Sequence, residues 1–548
     1  MGIGFYFSNN FLYNNKQIMK TYKITRKKFL RYSGIGASLL FLPTGLLSAC
    51  KESAAPINRI NKDFSPDLEI FLKSAYKEVQ ILPGKSTKVM SYEGEVLQGD
   101  RNSLQILDNN YLGPIIKTKK GQKIRVHFNN EIDAETIIHW HGLHVPEEMD
   151  GHPRYVINNG EKFVYEFEVN NRAGTYWFHP HPHGKTGPQV YSGLAGLFLV
   201  SDENEQGLNL PTDKYDIPII IQDRQFDGNN QLVYLDGRMD RMMGFLGDTI
   251  LVNGKPDFIL SAETRPYRLR LLNGSNSRIY KLAWNDETPL TVIGTDGGLL
   301  ETPRQIPYLT LGPAERYDIW VDFSNWKTGK ELTMKSLPFE IEMGMGMGMM
   351  RGNMSNMNNQ FSNGSELNVF KVRVEKESNE RIDLPTKLSK INKLSEDEAV
   401  NKNNPRKFHF AMKHMEWTIN GKTFRMTDVA DNEKVKLNTT EVWEFINGGG
   451  GGGMMGMMGN MMQMPHPVHI HGLQFQIIDR IIKDSSAADW DNLKEGIVDE
   501  GWKDSFLLLP GTRIKVLLRF EDYKGMFLYH CHNLEHEDMG MMRNYLVE

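Results

Sequence analysis

Four His-x-His pairs constrain this chain more than any other feature of its sequence. The pairs are His139-Trp140-His141, His179-Pro180-His181, His469-Ile470-His471 and His530-Cys531-His532. On a strand, residues i and i+2 share a face, so each pair presents two imidazoles together. Neutral imidazole is a ligand for copper, zinc and iron, and eight imidazoles exceed the three or four ligands of one zinc site. We therefore expect a cluster of metal ions.

The last pair indicates which metal the chain binds. Cys531 lies between two histidines, so on an extended strand its side chain points away from theirs. His536 follows five residues later, Met541 follows ten residues later, and His466 precedes the third pair. Two histidines, one cysteine and a weak axial methionine are the ligands of a blue-copper electron-transfer site. The spacing predicts that an electron entering at Cys531 leaves by two short backbone routes to the cluster.

The distribution of the histidines indicates the domain plan. Of the 16 histidines, eight lie in residues 127–183, eight lie in residues 409–536, and none lies in residues 184–408. Short alternating apolar segments recur between Gly, Pro, Asn and Asp turns, and long amphipathic helical patterns are scarce, which is typical of all-β sandwiches. The length fits three domains of roughly 150–180 residues. We predict two histidine-rich flanking domains and a middle domain without histidine.

The first 50 residues are typical of an export signal. They contain seven basic and no acidic residues, and their apolar stretch over residues 35–47 is too short and too interrupted for a spanning helix. The ending Leu47-Ser48-Ala49-Cys50 resembles a bacterial lipobox, which predicts a lipid on Cys50 and attachment to a membrane. Residues 25–31 resemble a twin-arginine signal in which Lys27 replaces the second arginine, so the export route stays open. We expect an exported, periplasmic or cell-envelope lipoprotein; a plain cleaved signal is the alternative.

Cysteine and charge content narrow the function further. The chain has two cysteines, Cys50 and Cys531. A lone thiol in an exported protein is usually buried and inert or occupied by chemistry. The chain has 68 acidic and 64 basic residues, and because seven basic residues precede residue 51, the remainder is distinctly acidic. Nucleic-acid binding needs basic patches, so we expect no nucleic-acid partner.

Two low-complexity segments are rich in methionine. Residues 343–357 and 454–464 hold fourteen of the 29 methionines, and six glycines precede the second group. Neither segment has the periodicity of a packed element, and glycine-rich tracts do not easily hold strand order, so we predict loops. Thioether sulfur is a soft ligand that selects Cu(I). Because the second segment runs into His466, we predict that the loops collect Cu(I) beside Cys531; disordered linkers are the alternative.

Together the motifs resemble the four copper signatures of multicopper oxidases. They are His139-Trp140-His141-Gly142, His179-Pro180-His181, His466-Pro467-Val468-His469-Ile470-His471, and His530-Cys531-His532 followed by His536 and Met541. The likeness is closest to bacterial copper-efflux (cuprous) oxidases, through residues 175–196 and 530–542. It implies an all-β fold of three cupredoxin-like Greek-key β-sandwich domains. The expected boundaries are residues 1–50 for the signal, then 51–205, 206–385 and 386–548 for the domains.

The resemblance also implies four copper ions per chain and assigns their ligands. The type 1 copper would be held by His466, Cys531, His536 and Met541, and the type 2 copper by His139 and His469. The type 3 pair would be held by His141, His179, His181, His471, His530 and His532. The three-copper cluster would then lie between the first and third domains.

Three acidic residues are of interest beside these ligands. Asp150 and Glu537 match the family's acidic residues near the cluster. Reduction of O2 to water consumes four protons, so both are predicted proton relays; a solvated acid is the alternative for each. Trp502-Lys503-Asp504 resembles a family stretch near the type 1 site, where a packing role and substrate contact are both open.

Three functions are compatible with the motifs. The first is oxidation of Cu(I) to Cu(II) with O2 as acceptor, which would serve copper tolerance. Met464 matches a methionine of the family's substrate-copper site, Met462 stands where an acidic residue is expected, and Glu340, Glu342 and Met343 could supply other ligands. The second is laccase-like oxidation of phenols or aromatic amines, which an axial methionine disfavours by lowering the type 1 potential. The third is a non-catalytic scaffold; such relatives lose copper ligands, and this chain lacks none.

Overall fold

The computed structural model describes residues 60–235, 238–341, 362–448, 463–483 and 486–548. All of these residues fall within a single compact unit. Cys50 and nearly all of both methionine-rich segments lie outside the described residues.

Nine strands form the first pair of sheets. They are β1 (Leu68–Val79), β2 (Thr87–Gln98), β3 (Leu104–Gln105), β4 (Ile115–Lys119), β5 (Lys123–Asn130), β6 (Ile138–His141), β7 (Lys162–Glu168), β8 (Gly174–Pro180) and β9 (Gly196–Ser201). One sheet has the order β2-β1-β5-β7 and the other β3-β4-β9-β8-β6. In β5, every second side chain is buried, as its alternating sequence predicts. These side chains meet Trp140 and Phe178 from the other sheet in one core.

Eleven strands form the second pair of sheets. They are β10 (Asp216–Arg224), β11 (Thr249–Val252), β12 (Ile259–Glu263), β13 (Pro266–Asn273), β14 (Tyr280–Trp284), β15 (Leu290–Thr295), β16 (Gly298–Ile306), β17 (Leu309–Leu311), β18 (Arg316–Asp322), β19 (Glu331–Ser336) and β20 (Leu367–Lys376). The sheet orders are β11-β10-β13-β18-β15-β16 and β12-β20-β19-β14-β17. Their inner faces share a core of aliphatic and aromatic residues.

Ten strands form the third pair of sheets. They are β21 (Arg406–Lys413), β22 (Glu416–Ile419), β23 (Lys434–Val435), β24 (Thr439–Asn447), β25 (His466–Ile470), β26 (Phe475–Ile482), β27 (Ser505–Leu508), β28 (Thr512–Phe520), β29 (Gly525–Cys531) and β30 (Met542–Val547). The orders are β22-β21-β24-β28-β26 and β23-β30-β29-β25-β27. The core between them contains Cys531, Met541 and Met464.

Helices are short in the part of the chain that the structure describes. They are α1 (Thr186–Ser192), α2 (Glu203–Gln206), α3 (Arg238–Met243), α4 (Ala487–Leu493) and α5 (Leu534–Asp538). Single-turn 3₁₀ helices occupy Arg101–Ser103, Glu147–Met149, Pro153–Tyr155, Asp213–Tyr215, Phe323–Asn325, Glu396–Glu398, Asp431–Glu433 and Lys494–Gly496. None of the described helices is long and apolar enough to cross a membrane.

Buried ion pairs join the middle sandwich to the first. Arg268 on β13 contacts Asp318 on β18 and Glu205 on α2, and its side chain is 2% exposed. Thr175 on β8 donates its hydroxyl hydrogen to Asp318 at 2.8 Å.

The six sheets pair into three sandwiches. The predicted all-β fold of three cupredoxin-like sandwiches is confirmed, while the boundaries at residues 205 and 385 stay predictions.

Candidate metal centre

Two antiparallel strand pairs bring the four His-x-His pairs together. In the first sandwich β6 pairs with β8, and His139 lies opposite His179. In the third sandwich β25 pairs with β29, and His469 lies opposite His530. All eight imidazoles are buried, so the two sandwiches enclose them in a space that excludes bulk water.

The rings form three groups whose nitrogen atoms lie within 4.8 Å of one another: His139 with His141 and His469, His141 with His179 and His532, and His181 with His471 and His530. Representative Nε2–Nε2 distances are 3.2 Å for His139–His469, 3.0 Å for His471–His530 and 3.3 Å for His181–His530. The predicted type 2 pair therefore lies together, and the six predicted type 3 ligands divide into two sets of three. Their role as copper ligands stays a prediction.

The outer ring nitrogens show that this arrangement suits metal ions. The Nδ1 atoms of His139 and His469 each donate to a backbone carbonyl at 2.7 Å, that of Asp150 and that of Asp504 respectively. A carbonyl only accepts, so both Nδ1 atoms carry the proton and both Nε2 atoms present lone pairs. These lone pairs face each other at 3.2 Å. Only a cation or an added proton relieves their repulsion, and oriented outer N–H groups are what metal-binding histidines show.

Burial makes an added proton costly. It lowers the pKa of nine of the ten candidate histidines; for His179 and His536 the pKa falls to about 3. Repulsion from neighbouring rings adds to the effect for most of them, including His139 and His471. These nine rings are therefore neutral at physiological pH, which is the form that binds a metal.

Cys531 forms a separate group with two further histidines. Its Sγ lies 3.4 Å from Nδ1 of His466 and 3.6 Å from Nδ1 of His536. Burial raises the pKa of the Cys531 thiol well above its ordinary value, so a metal ion must displace its proton. Met541 is fully buried in the same core, and its carbonyl accepts the Cys531 N–H at 3.0 Å. The structure thus brings together all four predicted type 1 residues.

Helix α5 borders both groups. Asn533 caps the helix by accepting the backbone N–H of His536 at 3.3 Å, and Nδ1 of the His536 ring faces Cys531 Sγ at 3.6 Å. Glu537, the next residue, faces the cluster: its carboxylate lies 3.1 Å from His530 Nδ1 and 3.5 Å from His181 Nε2. One turn of helix therefore supplies a side chain to each group.

The two predicted relay carboxylates have different electrostatic settings. Asp150 is buried, accepts from His471 Nδ1 at 2.8 Å, and has its pKa raised well above the ordinary value by burial. Burial also raises the pKa of Glu537, but the neighbouring His530, whose Nδ1 lies 3.1 Å from the carboxylate, outweighs it and leaves that pKa below the ordinary value. One carboxylate thus favours holding a proton and the other favours releasing it.

The predicted substrate-copper residues are only partly described. Met464 is buried in the Cys531 core, and its carbonyl accepts from Asn447 Nδ2 at 2.6 Å. Glu340 is exposed near the end of a described range. Met462, Met343 and Glu342 lie outside the described residues.

Two contacts to the candidate ligands are not predicted by the sequence. The carbonyl of Met242 on α3 accepts the Nε2–H of His536 at 3.1 Å and the indole N–H of Trp417 at 3.0 Å. Asp504, interpreted as near the type 1 site, instead places its carboxylate 3.2 Å from His141 Nε2. No local pattern indicates α3, because its partner residues lie far away along the chain; the Trp502-Lys503-Asp504 motif was a signal for the second contact.

Known proteins are similar to this chain over most of its length. Two stretches, residues 77–205 and 399–548, match family models described as multicopper oxidase. The multicopper oxidase mco of Staphylococcus aureus is 32% identical over 455 residues, covering 83% of this chain and 86% of that protein. A laccase of Bacillus stratosphericus is 28% identical over 491 residues, covering 79% and 88%. The crystal structure of the McoA multicopper oxidase of Aquifex aeolicus has a TM-score of 0.71 at 33% identity, covering 88% of this chain and 97% of that one.

Replacing Cys531 by serine is expected to abolish the visible absorption of the copper-loaded protein and its turnover. The thiolate whose charge transfer gives a blue site its colour is lost, while a buried serine leaves the fold intact. Cys50→Ser, which changes the only other cysteine, is the matched control and should stay blue. A blue Cys531→Ser protein, or zinc in place of copper on metal analysis, would contradict the assignment.

The metal-free protein is expected to lose stability as the pH falls from about 7 to about 5. Unfolded histidines titrate near a pKa of about 6.5, whereas the buried rings stay neutral below that pH, so the unfolded state binds more protons. Each such histidine adds up to about 1.4 kcal/mol per pH unit to the slope of the unfolding free energy, the full amount being reached once the unfolded histidine is protonated. Denaturant unfolding at a series of pH values measures this slope.

The matched variants for that measurement are His471→Gln and His414→Ala. His471 is buried in the cluster and His414 is exposed. His471→Gln should reduce the slope by the contribution of about one proton, and His414→Ala should leave the slope unchanged. A parent slope of zero across this range would contradict the prediction.

Proposed function

The chain belongs to the multicopper oxidase family, and we propose that within this family it is a cuprous oxidase, coupling one-electron oxidation of Cu(I) to four-electron reduction of O2 to water. The observation that carries the proposal is the pair of methionine-rich segments, the second of which leads into the buried Met464 of the Cys531 core. Membership of the family makes the chain an oxidoreductase that uses O2 and a reductant. The reductant is the part that we propose.

The donor set fits four copper ions, with one type 1, one type 2 and two type 3 sites. Type 1 copper would be held by His466, Cys531, His536 and Met541, type 2 copper by His139 and His469, and the type 3 pair by His141, His179, His181, His471, His530 and His532. When bound, copper supplies the reversible one-electron chemistry that links the reductant to O2. The remaining work of the protein falls to the arrangement of its own residues.

The first task is a short connection between the two groups. Cys531 Sγ faces His466 and His536, whereas the rings of His530 and His532 face His471 and His179. Strand β29 alternates its side chains, so the thiol and its neighbours serve opposite sides of one backbone. The covalent path between the two groups is therefore a single peptide unit in each direction.

The second task is proton supply, because reduction of O2 to water consumes four protons. We propose that Glu537 passes protons at its carboxylate oxygens, which lie beside His530 and His181. On the opposite side of the cluster, the Asp150 carboxylate accepts from His471 Nδ1 and the Asp150 carbonyl accepts from His139 Nδ1. Its raised pKa suits a group that stores a proton close to the reaction.

The third task is selection of the reductant. The imidazoles of His466 and His536 are 1% and 0% exposed, and the Trp417 ring lies 4.3 Å from the His536 ring. A phenol cannot place its ring against either imidazole edge in this arrangement. A small soft ion held by methionine sulfur outside this cover requires no such contact. Laccase-like oxidation of phenols or aromatic amines is the second candidate, supported by the similarity to a laccase over most of the chain.

We further propose that the enzyme is exported and attached to a membrane through a lipid on Cys50. The support is the sequence alone: a basic leader, a short apolar stretch and Leu47-Ser48-Ala49-Cys50. Oxidation of Cu(I) outside the cytoplasm would serve copper tolerance.

Replacing the seven methionines of residues 343–357 by leucine is expected to lower kcat/KM for Cu(I). The change keeps length and apolar character but removes the thioether ligands, so Cu(I) turnover should fall by roughly tenfold or more, as when metal-supporting groups are lost. Turnover of a bulky phenol should hold or rise. Steady-state O2 consumption with each reductant measures both, and the same replacement of the methionines in 454–464 should act alike.

The matched control replaces Met415 and Met426, which are 51% and 38% exposed and lie outside both segments. It should leave both reductants unaffected. Unchanged Cu(I) oxidation after both loop replacements would show that the loops are not the substrate site, and laccase-like activity would become the better name.

Glu537→Gln is expected to slow the reduction of O2 while leaving reduction of the Cys531 site fast. The change keeps size but removes the titrating group, and loss of a positioned acid or base costs roughly 10²- to 10⁴-fold. Stopped-flow reoxidation of the reduced enzyme measures it. Glu535→Gln, on the same helix and bonded to Tyr234 and Asn276, is the control. Reoxidation of Glu537→Gln at the parent rate would make Glu537 structural only.

The mature protein is expected to begin at a lipid-modified Cys50. Mass spectrometry of the N-terminal peptide should show an acylated cysteine, and Cys50→Ser should release the enzyme in soluble form. A free N-terminus downstream of Cys50 would refute the attachment and leave a soluble exported enzyme.

A further inference from the structure

The middle sandwich contributes no histidine, yet one of its arginines lies beside the cluster. Arg316 is the first residue of β18, and its side chain is 0% exposed. It lies where the three sandwiches meet, because it contacts Thr175 from the first, Asp296 from the middle and Asp504 from the third. A buried guanidinium at such a junction needs compensation at every donor.

Every N–H of Arg316 has an acceptor. The Nε–H donates to the Thr175 carbonyl at 3.0 Å; the Nη1 hydrogens donate to the Ala314 carbonyl at 3.0 Å and to Asp504 Oδ1 at 2.7 Å. The Nη2 hydrogens donate to Asp504 Oδ2 at 2.5 Å and to the Asp296 carbonyl at 3.3 Å. Five donors thus meet five acceptors, and the Asp504 carboxylate is held by a planar, two-point contact.

Asp504 in turn contacts two candidate ligands. Its Oδ1 lies 3.2 Å from His141 Nε2, and its backbone carbonyl accepts from His469 Nδ1 at 2.7 Å. The hydroxyl of Ser505 lies 3.1 Å from the same His141 nitrogen. With their outer nitrogens bonded in this way, His141 directs Nδ1 towards His179 and His469 directs Nε2 towards His139.

The backbone that carries Asp504 is docked onto the middle sandwich as well. Asp296 Oδ2 accepts from the Ser505 N–H at 3.3 Å and lies 3.1 Å from the buried ammonium of Lys503. Asp296 Oδ1 accepts from the Arg316 N–H at 2.8 Å. The side chain of Asp504 and its adjoining backbone are therefore both held by Arg316 and Asp296 of the middle sandwich.

The glycine after the first His-x-His pair leaves room for this contact. Gly142 has a φ of +86°, and a Cβ there would lie 2.3 Å from Asp504 Oδ2 and 2.8 Å from Arg316 Nη2. A side chain at this position would push the ion pair away from His141. The motif that carries His139 and His141 therefore needs a glycine at this position to admit the Arg316–Asp504 ion pair.

We infer that Arg316 is a positioning residue of the metal cluster, acting through Asp504 on His141 and His469. The guanidinium fixes the carboxylate and the adjoining backbone, which orient the two rings so that their inner nitrogens point to the metal. The inference rests on the copper binding proposed above and assigns the middle sandwich a direct part in assembling the cluster.

Lysine cannot replace this arginine. Its ammonium keeps the charge but has three donors on one atom and cannot make the two-point contact to Asp504 while also reaching the Thr175 and Asp296 carbonyls. Arg316→Lys therefore separates positioning from charge. Arg268→Lys is the matched control: Arg268 is equally buried in the middle sandwich and pairs with Asp318 and Glu205, neither of which contacts a candidate ligand.

The experiment loads metal-free full-length protein with copper against a competing chelator and follows two signals: the visible absorption of the Cys531 site and the EPR signal of type 2 copper. For Arg316→Lys we expect the absorption of the parent, an altered or weakened type 2 signal, and a roughly 10- to 100-fold loss of copper affinity at the cluster. Arg268→Lys should match the parent in both. Asp504→Asn should resemble Arg316→Lys, and the double variant should lose no more than either single one, because both act on one contact.

Parent-like type 2 signal and cluster affinity in Arg316→Lys would overturn the inference, and so would an equal loss in Arg268→Lys, which would indicate a general effect of buried charge. If Arg316→Lys does not fold, Asp504→Asn decides by the same two signals. A parent protein that takes up no copper at the cluster would instead refute the proposed function.

Discussion

The opposition of buried nitrogen lone pairs is the interaction on which the rest of this structure depends. Two β-sandwiches converge on a space lined by imidazoles, and His139 and His469 bring their Nε2 atoms to 3.2 Å with no proton between them. Burial lowers the pKa of both rings well below the ordinary value, so protonation is a costly way to relieve the repulsion. A bound cation relieves it at every one of these contacts. The protein interior is thus arranged for metal, and its packing makes sense only with that charge supplied.

This arrangement requires a rigid outer layer, because rings that were free to turn would lose their mutual orientation. Backbone carbonyls and carboxylates provide it, among them the Asp150 and Asp504 carbonyls at 2.7 Å from their histidines. The Cys531 group is supported in the same way, since the Met242 carbonyl accepts a hydrogen bond from the outer nitrogen of His536. In both places part of the support comes from another sandwich, since the Met242 carbonyl of the middle one holds His536 of the third and the Asp150 carboxylate of the first holds His471 of the third. The domains must therefore be docked before the site is complete.

The middle sandwich then has a clear physical role despite its lack of ligands. Its buried guanidinium groups, Arg268 and Arg316, join it to the other two sandwiches through carboxylates that solvent does not reach. Such pairs are costly to bury and need good geometry, so a misplaced sandwich would leave their charges without compensation. Helix α3, from the same sandwich, contacts the Cys531 group through Met242, whose carbonyl accepts from His536 and whose side chain packs in the same core.

The sequence alone determined the strand-rich fold, and it indicated the candidate ligands and their division between two groups. Spacing was enough, because strand periodicity places His530 and His532 on one face and Cys531 on the other. It also indicated Glu537, which lies within a motif. Only the tertiary structure decided which rings face one another, that Asp504 contacts His141, that Arg316 holds Asp504, and that Met242 supports a ring from another sandwich. Those contacts join residues up to hundreds of positions apart, such as Met242 and His536. Local propensity and periodicity carry no information about such pairs; the docking of whole sandwiches creates them.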